Sequence, residues 1–232
     1  GYRLIRRAWE ADSVFSFNGR FNKLRYVNPL PKPLQQPHPP IWGATSSEDG
    51  HKQIGEAGLG LCSFAVGVSP EEVKKKIDIY RAAVKTCRQP LGKYVNDQAS
   101  TFTMALCAPS EAEARDAARE SFEWYPKHGA RLIGSLATWM AEKKAELGTY
   151  AYAADMKNVD EAGALDLLTL EYLVENGACV LGTPEQCVEA CRRYEAAGVD
   201  LLLCLVNPFK IGHASVMQTI ELMGRHVIPR FR

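Results

Sequence analysis

The run Pro37-His38-Pro39-Pro40-Ile41-Trp42-Gly43-Ala44-Thr45-Ser46-Ser47-Glu48-Asp49-Gly50 decides how this chain is read. Its prolines fix φ and lack a backbone donor, so the approach cannot be helical. Ile41 and Trp42 form a short apolar run, Gly43 to Ser47 a loop of small residues, and a hydroxyl residue opens a helix that closes at Gly58-Leu59-Gly60. The three pieces make one strand-loop-helix unit. In parallel α/β folds such a loop lies at the carboxyl end of its strand. Free N–H groups and the positive end of the helix dipole there suit an anionic group such as a phosphate.

The same pattern recurs downstream. The apolar run Leu59 to Val68 precedes Ser69-Pro70-Glu71-Glu72, with Ser as N-cap and Pro at the first helical position, and a helix is expected to about Thr86. Ser100 to Ala108 precedes Ser110-Glu111-Ala112-Glu113 and a helix expected to end near Tyr125. Ala178 to Leu181 leads into Gly182-Thr183-Pro184-Glu185-Gln186, and the helix that follows stops at Ala197-Gly198. Val199 to Val206 is the most hydrophobic strand candidate, with a last helix from Ile211 to about Val227. Continuous apolar strands, each feeding a capped helix, mark parallel βα units buried on both faces. The fold class is α/β. About four strands are counted, half of what a closed (β/α)₈ TIM barrel needs.

Upstream, Leu4, Ile5, Ala8 and Trp9 follow helical spacing, and Asn18-Gly19 between Phe15-Ser16-Phe17 and Arg25-Tyr26-Val27 suggests a hairpin. The chain opens inside an element, so an upstream portion is expected to be absent. Residues 126–176 hold no strand candidate and are expected to form a helical insertion over one end of the sheet, within a single partial barrel domain spanning 1–232. In it Trp139, Met140, Tyr150 and Tyr152 could line a lid, but packing against neighbouring helices is favoured.

With 28 basic and 27 acidic residues the net charge is +1, which gives no reason to expect nucleic acid or an anionic membrane as partner. No apolar run approaches the ~20 residues of a membrane span. Seven cysteines, an odd number without a CxxC pair, fit a reducing, cytoplasmic setting better than a disulfide framework. Cys187 and Cys191 share a helix face, with inert packing favoured over metal binding.

Within the loop, Gly43 and Ala44 allow close backbone approach and Thr45, Ser46 and Ser47 offer hydroxyls, while Glu48 and Asp49 would repel a phosphate unless they point away. From the residues alone an ordinary N-cap is favoured over an anion site. The five histidines form no constellation. His213, after the last strand, is the most placed for chemistry, although a solvent-facing helix start is favoured. Ser63 and Phe64, ending the second strand, could present a hydroxyl and a ring to a planar ligand, or Phe64 could be core.

Taken together, several segments resemble the bacterial luciferase-like flavin monooxygenases. They are Pro37 to Trp42 leading to Ala44-Thr45-Ser46-Ser47, Gly58-Leu59-Gly60, Leu181-Gly182-Thr183-Pro184-Glu185, Ala197-Gly198-Val199-Asp200, and Glu221-Leu222-Met223-Gly224-Arg225-His226-Val227-Ile228-Pro229. Trp9 with Phe15-Ser16-Phe17-Asn18-Gly19 resembles the segment before that family's fifth strand.

The resemblance implies a (β/α)₈ barrel of which this chain supplies strands five to eight. It implies that Ala44, Thr45, Ser46, Ser47 and Gly50 bind the FMN phosphate and that Ser63 and Phe64 lie beside the isoalloxazine ring. Reduced FMN, commonly delivered by a separate reductase, would use O₂ to oxygenate a small organic substrate; deazaflavin F420 is the alternative cofactor, and a non-catalytic half-barrel module the alternative role. Homo-oligomers are expected. The family's catalytic histidine lies in strands this sequence lacks, so no catalytic residue is assigned.

Overall fold

The computed structural model describes residues 1–142 and 163–231. The chain forms two compact units, one of Gly1–Cys62 with Lys76–Ala99 and the other of Ser63–Lys75 with Ser100–Arg232.

The first unit opens with α1 (Tyr2–Glu10) and a hairpin of β1 (Phe15–Asn18) and β2 (Lys23–Val27). The hairpin is antiparallel, pairing Phe15 with Val27, Phe17 with Leu24 and Asn18 with Lys23 across a bulge. The Asn18-Gly19 signal therefore makes the expected turn. The proline run delivers the chain to β3 (Trp42–Thr45), which neighbours the start of β4 (Gly60–Phe64), and α2 (Glu48–Glu56) connects them.

Two close approaches hold this unit together. Gly55 of α2 meets α3 (Pro70–Val84) so closely that a Cβ there would lie 2.8 Å from both the Tyr80 carbonyl oxygen and the Ala83 Cβ. The buried Tyr80 hydroxyl sits among three carbonyls, 3.0 Å from those of Leu59 and Asn96 and 3.3 Å from that of Gln98. One phenol thus holds β4 and the segment leading into β5 (Ala99–Cys107) in a fixed relation. His38 is also buried; its Nδ1–H donates to Pro39 O and its Nε2 accepts from Lys93 N–H, while its ring stacks on Tyr94 at 5.1 Å.

The second unit is built on β5. Ser100 to Met104 pair in parallel with Leu201 to Leu205 of β7 (Leu201–Leu205), and Ala105 to Cys107 pair in parallel with β6 (Val180–Gly182). Over this sheet lies α4 (Glu111–Glu142), whose Ala114, Ala118 and Phe122, spaced by four, pack with Met104 and Leu106 and with Leu170 and Leu173 of α5 (Leu170–Glu175). Arg119 clamps the same two helices with a bidentate pair to Glu171 at 2.7 and 3.1 Å, which holds the Glu171 carboxyl down at about 2. The helix α6 (Pro184–Ala196) starts with the expected capping box, Thr183 and Gln186 bonding reciprocally, and its Tyr194 hydroxyl meets Thr103 Oγ1 at 3.2 Å. In α7 (His213–Leu222), Thr219 Oγ1 accepts from Cys107 N–H and donates to Cys107 O, and a π-helical turn over Met223–Val227 follows.

The architecture is α/β with parallel strand pairs, as expected. Five strands, β3 to β7, follow the proline run among the described residues, rather than about four, and Val180–Gly182 and Leu201–Leu205 both form ladders on β5. Three further expectations are corrected. The helix expected to end near Tyr125 runs unbroken through Pro126 to Glu142, with Pro126 buried. A proline removes one helical hydrogen bond and crowds the preceding turn; here the flanking helix is anchored by Phe122. The strand β7 is not covered on both faces, since Leu201 and Leu203 are 46% and 48% exposed. Trp139 is half exposed rather than packed, while Met140 is buried; Tyr150 and Tyr152 fall outside the described residues.

Candidate functional site

The loop from Ala44 to Gly50 forms as its small residues dictate. Ser47 is the N-cap of α2, with extended backbone (φ −89°, ψ 150°), and its Oγ accepts from Gly50 N–H at 3.1 Å. Thr45 Oγ1 accepts from Ser47 N–H at 3.3 Å and lies 3.5 Å from Ser47 Oγ. Gly50 packs beneath this pair, and a Cβ on it would fall 1.9 Å from Thr45 Oγ1. Only glycine leaves room for the threonine hydroxyl there. The five residues expected to act together, Ala44, Thr45, Ser46, Ser47 and Gly50, are thus brought into one tight turn.

Two side chains that the sequence reading did not single out fix this turn from outside. The Lys76 ammonium of α3 donates to Ser46 O at 3.0 Å, and His51 Nδ1–H donates to Ser47 O at 2.6 Å. His51 lies at i+4 from Ser47, a signal available in the sequence. Lys76 lies thirty residues away, and nothing local marks it. Burial pushes the His51 pKa down, with the Lys76 charge acting in the same direction and the Ser47 carbonyl and Glu48 against it, so the ring stays neutral over a wider pH range.

Because a trans peptide sets its N–H opposite its C=O, carbonyls held by Lys76 and His51 aim the amides that follow them the other way. The Ser47 amide is taken by Thr45 Oγ1, which leaves the first-turn donors of Glu48 and Asp49 as the groups a helix start offers to an anion. Glu48 and Asp49 themselves are exposed, as are Ala44 and Ser46. Their carboxylates are free to turn to solvent. The loop is the N-cap of α2, with small residues on its outer side.

The other two expected residues belong to the second unit. Ser63 is buried, and its carbonyl accepts from Thr101 Oγ1 at 3.0 Å. Phe64 is 41% exposed and meets Phe102 edge to face, with ring centroids 5.2 Å apart at 80°. Phe64 is therefore not a core residue. The same unit carries a stack in which Trp124 lies 4.3 Å from the ring of His128, its i+4 neighbour, and 3.9 Å from that of the distant Phe209, nearly parallel to both.

The remaining candidates are quiet. His213 is the exposed first residue of α7. Cys187 is fully buried between Leu106 O and Gly182 O; its contact with Cys107 and its burial push its thiol far up, and burial raises Cys191 to about 12 and Cys204 to about 11. Thiols so held do not ionise near neutrality, and inert packing describes them. Among the described residues no helix is long and apolar enough to cross a membrane.

Known proteins frame this geometry. Across the whole chain, an FMNH(2)-dependent dimethylsulfone monooxygenase of Pseudomonas putida is 27% identical over 239 residues, 99% of this chain and 56% of the relative. The oxygenase component of a flavin-dependent trigonelline monooxygenase of Acinetobacter baylyi is 26% identical over 197 residues, 84% of this chain and 49% of the relative. The chain therefore spans about half the length of these curated relatives. The coenzyme F420 dependent tetrahydromethanopterin reductase of Methanopyrus kandleri shares the fold at a TM-score of 0.64 with 19% identity, over 99% of this chain and 61% of that one. The family model described as luciferase-like monooxygenase matches residues 2–201. By that match, which takes in the turn at Ser47 and the strands β3 to β6, the chain belongs to the luciferase-like monooxygenase family.

Proposed function

We infer that this chain is the flavin-binding, carboxyl-terminal part of an FMN-dependent monooxygenase, supplying the carboxyl-terminal strands, β3 to β7, of a (β/α)₈ barrel as one partial domain. The observation that carries this reading is the turn from Ala44 to Gly50, where Thr45, Ser47 and a glycine with no room for a side chain sit inside the region matched by the family. The turn would hold the FMN phosphate on the first-turn amides, with Lys76 keeping the carbonyl of Ser46 turned away. Ser63 and the open ring of Phe64 would lie along the isoalloxazine.

Reduced flavin supplies the electrons with which O₂ is activated to oxygenate a small organic substrate. The part played by this chain is to bind and orient the flavin and to keep water from one side of it. No group in it is assigned to proton transfer, and the chain by itself is inactive in this reading. A separate flavin reductase delivers the reduced cofactor, as the name of the trigonelline relative, an oxygenase component, supports. The half-exposed leucines of β7 support completion of the barrel by further strands, and the assembled protein is a homo-oligomer in the cytoplasm.

Titration of the complete protein with FMN and with F420, followed by flavin fluorescence, tests the reading. Micromolar or tighter FMN binding that is lost when Ser47 gains a charge supports it. Preference for F420 would move the protein to the deazaflavin-dependent oxidoreductases, to which the Methanopyrus kandleri neighbour belongs by name. Binding of neither would leave a non-catalytic half-barrel module.

A further inference from the structure

The loop that follows β7 is held in a strained shape. Asn207 Oδ1 accepts from Ile211 N–H at 3.2 Å, and Lys210 takes a left-handed backbone with φ 49°, which costs energy in a residue with a Cβ. Lys210 Nζ lies 4.8 Å from the centre of the Phe209 ring and 3.3 Å from Glu120 of α4. The loop is thereby tied to α4, and Phe209 is laid on Trp124. Strained backbone of this kind clusters at binding sites, and in barrels such sites lie on the loops at the carboxyl ends of the strands.

Phe209 and His128 each lie nearly parallel to the Trp124 indole, at 3.9 and 4.3 Å. Two rings lying flat side by side on one face of an indole at those distances would overlap, so they take opposite faces. The result is a column of the Lys210 ammonium, Phe209, Trp124 and His128. The ammonium closes one end. At the other end His128 is exposed, and no second ring among the described residues covers its outer face. The loop leaving β4, three residues past the open ring of Phe64, meets the same stretch of α4: a Cβ on Gly67 would lie 3.8 Å from Pro126. The column therefore stands beside the loops that follow two strands of its own unit.

The cations next to these rings in the chain are already matched, Lys210 with Glu120 and Lys127 with Glu123 at 3.8 Å. What the column offers is a flat π face rather than a charge. We propose that the outer face of His128 is a platform for an uncharged planar aromatic molecule, which stacks as the next ring of the column. Trp124 and Phe209 are positioning residues that keep the imidazole flat. That this molecule is the organic substrate rests on the reading of the chain as part of an FMN-dependent monooxygenase; the stacking does not.

The test is calorimetric titration of the complete protein with quinoline, beside hexanal as an open-chain control, with circular dichroism as the check on folding. Quinoline should bind, and hexanal at least about tenfold more weakly. His128→Ala, a change at an exposed side chain, should weaken quinoline roughly tenfold, and His128→Phe, which restores a ring, should recover most of that loss. Trp124→Leu should weaken it as well, by releasing the rings on both of its faces. No binding of quinoline, no preference over hexanal, or equal affinity in wild type and His128→Ala overturns the platform. Titration with FMN separates the two readings: FMN binding without quinoline binding strikes the platform alone, whereas quinoline binding without FMN binding upholds the platform and strikes the assignment of its ligand as substrate.

Discussion

Lys76 reaches from α3 to the turn before α2 and donates its ammonium to the carbonyl of Ser46 at 3.0 Å. That bond sets which way the Ser46–Ser47 peptide faces. Replacing Lys76 by Met keeps the stem and removes the donor. FMN affinity is expected to fall by roughly threefold to tenfold, as for loss of one solvent-accessible charged hydrogen bond, with the melting temperature nearly unchanged. Fluorescence titration beside a thermal melt separates the two effects.

Ser47 serves as N-cap, so a change there tests the cap and the anion site together unless they are separated. Ser47→Asp keeps a capping oxygen and adds a charge where the phosphate would lie. Stability should hold within a few tenths of a kcal/mol, while FMN binding drops at least about tenfold. Ser47→Ala should do the reverse, costing about 1 kcal/mol in urea unfolding with a smaller effect on binding. Ser47→Glu should weaken binding too; FMN affinity unchanged from wild type in both charged variants would remove the phosphate from this turn.

Gly50→Ala places a methyl 1.9 Å from Thr45 Oγ1, so the turn must open. A loss of about 1–3 kcal/mol is expected from urea unfolding. Combining it with Thr45→Ala should recover part of the loss, because one of the two clashing groups is gone.

His51 is buried as a neutral ring, and its pKa is lowered from 6.5 chiefly by desolvation. The unfolded chain therefore takes up this proton first as the pH falls. Stability from this group is complete above about 6.5 and declines as the pH drops from there toward the lower folded value. His51→Asn retains a donor near the position of Nδ1 without titrating. Urea midpoints measured between about pH 7 and 5 should slope less in this variant than in the wild type. An unchanged slope would mean that other groups set the acid limb.

Tyr80→Phe removes the hydroxyl that lies among the carbonyls of Leu59, Asn96 and Gln98. The expected cost is about 1–3 kcal/mol, since a buried acceptor loses its donor and no water replaces it. Equilibrium unfolding measures it directly.

Element starts were legible in the sequence because they are local events. Ser69 and Ser110 cap their helices through the amides three residues on, Thr183 and Gln186 bond each other, and Asn18-Gly19 turns the hairpin, each needing only the next few residues. Element ends were less legible. Pro126 should stop α4 by its own chemistry, yet the helix passes through it to Glu142, with Pro126 buried.

The candidate site divides in the same way. Ala44 to Gly50 could be read as a turn ahead of a helix from residue type alone, whereas the place of Gly50 in a phosphate site follows only from the family resemblance. Lys76 could not, since the bond to Ser46 spans thirty residues and exists only once α3 returns beside the turn. Nor could the openness of Phe64 or of Leu201 and Leu203, because apolar residues in a strand carry no mark of whether a neighbour will cover them. The sequence by itself determined the parallel βα pattern, the caps and the turn, all set by backbone chemistry within a few residues. Only the tertiary structure decided which side chains fix that turn, how far α4 runs and which apolar faces stay open, because these depend on what distant segments bring into contact.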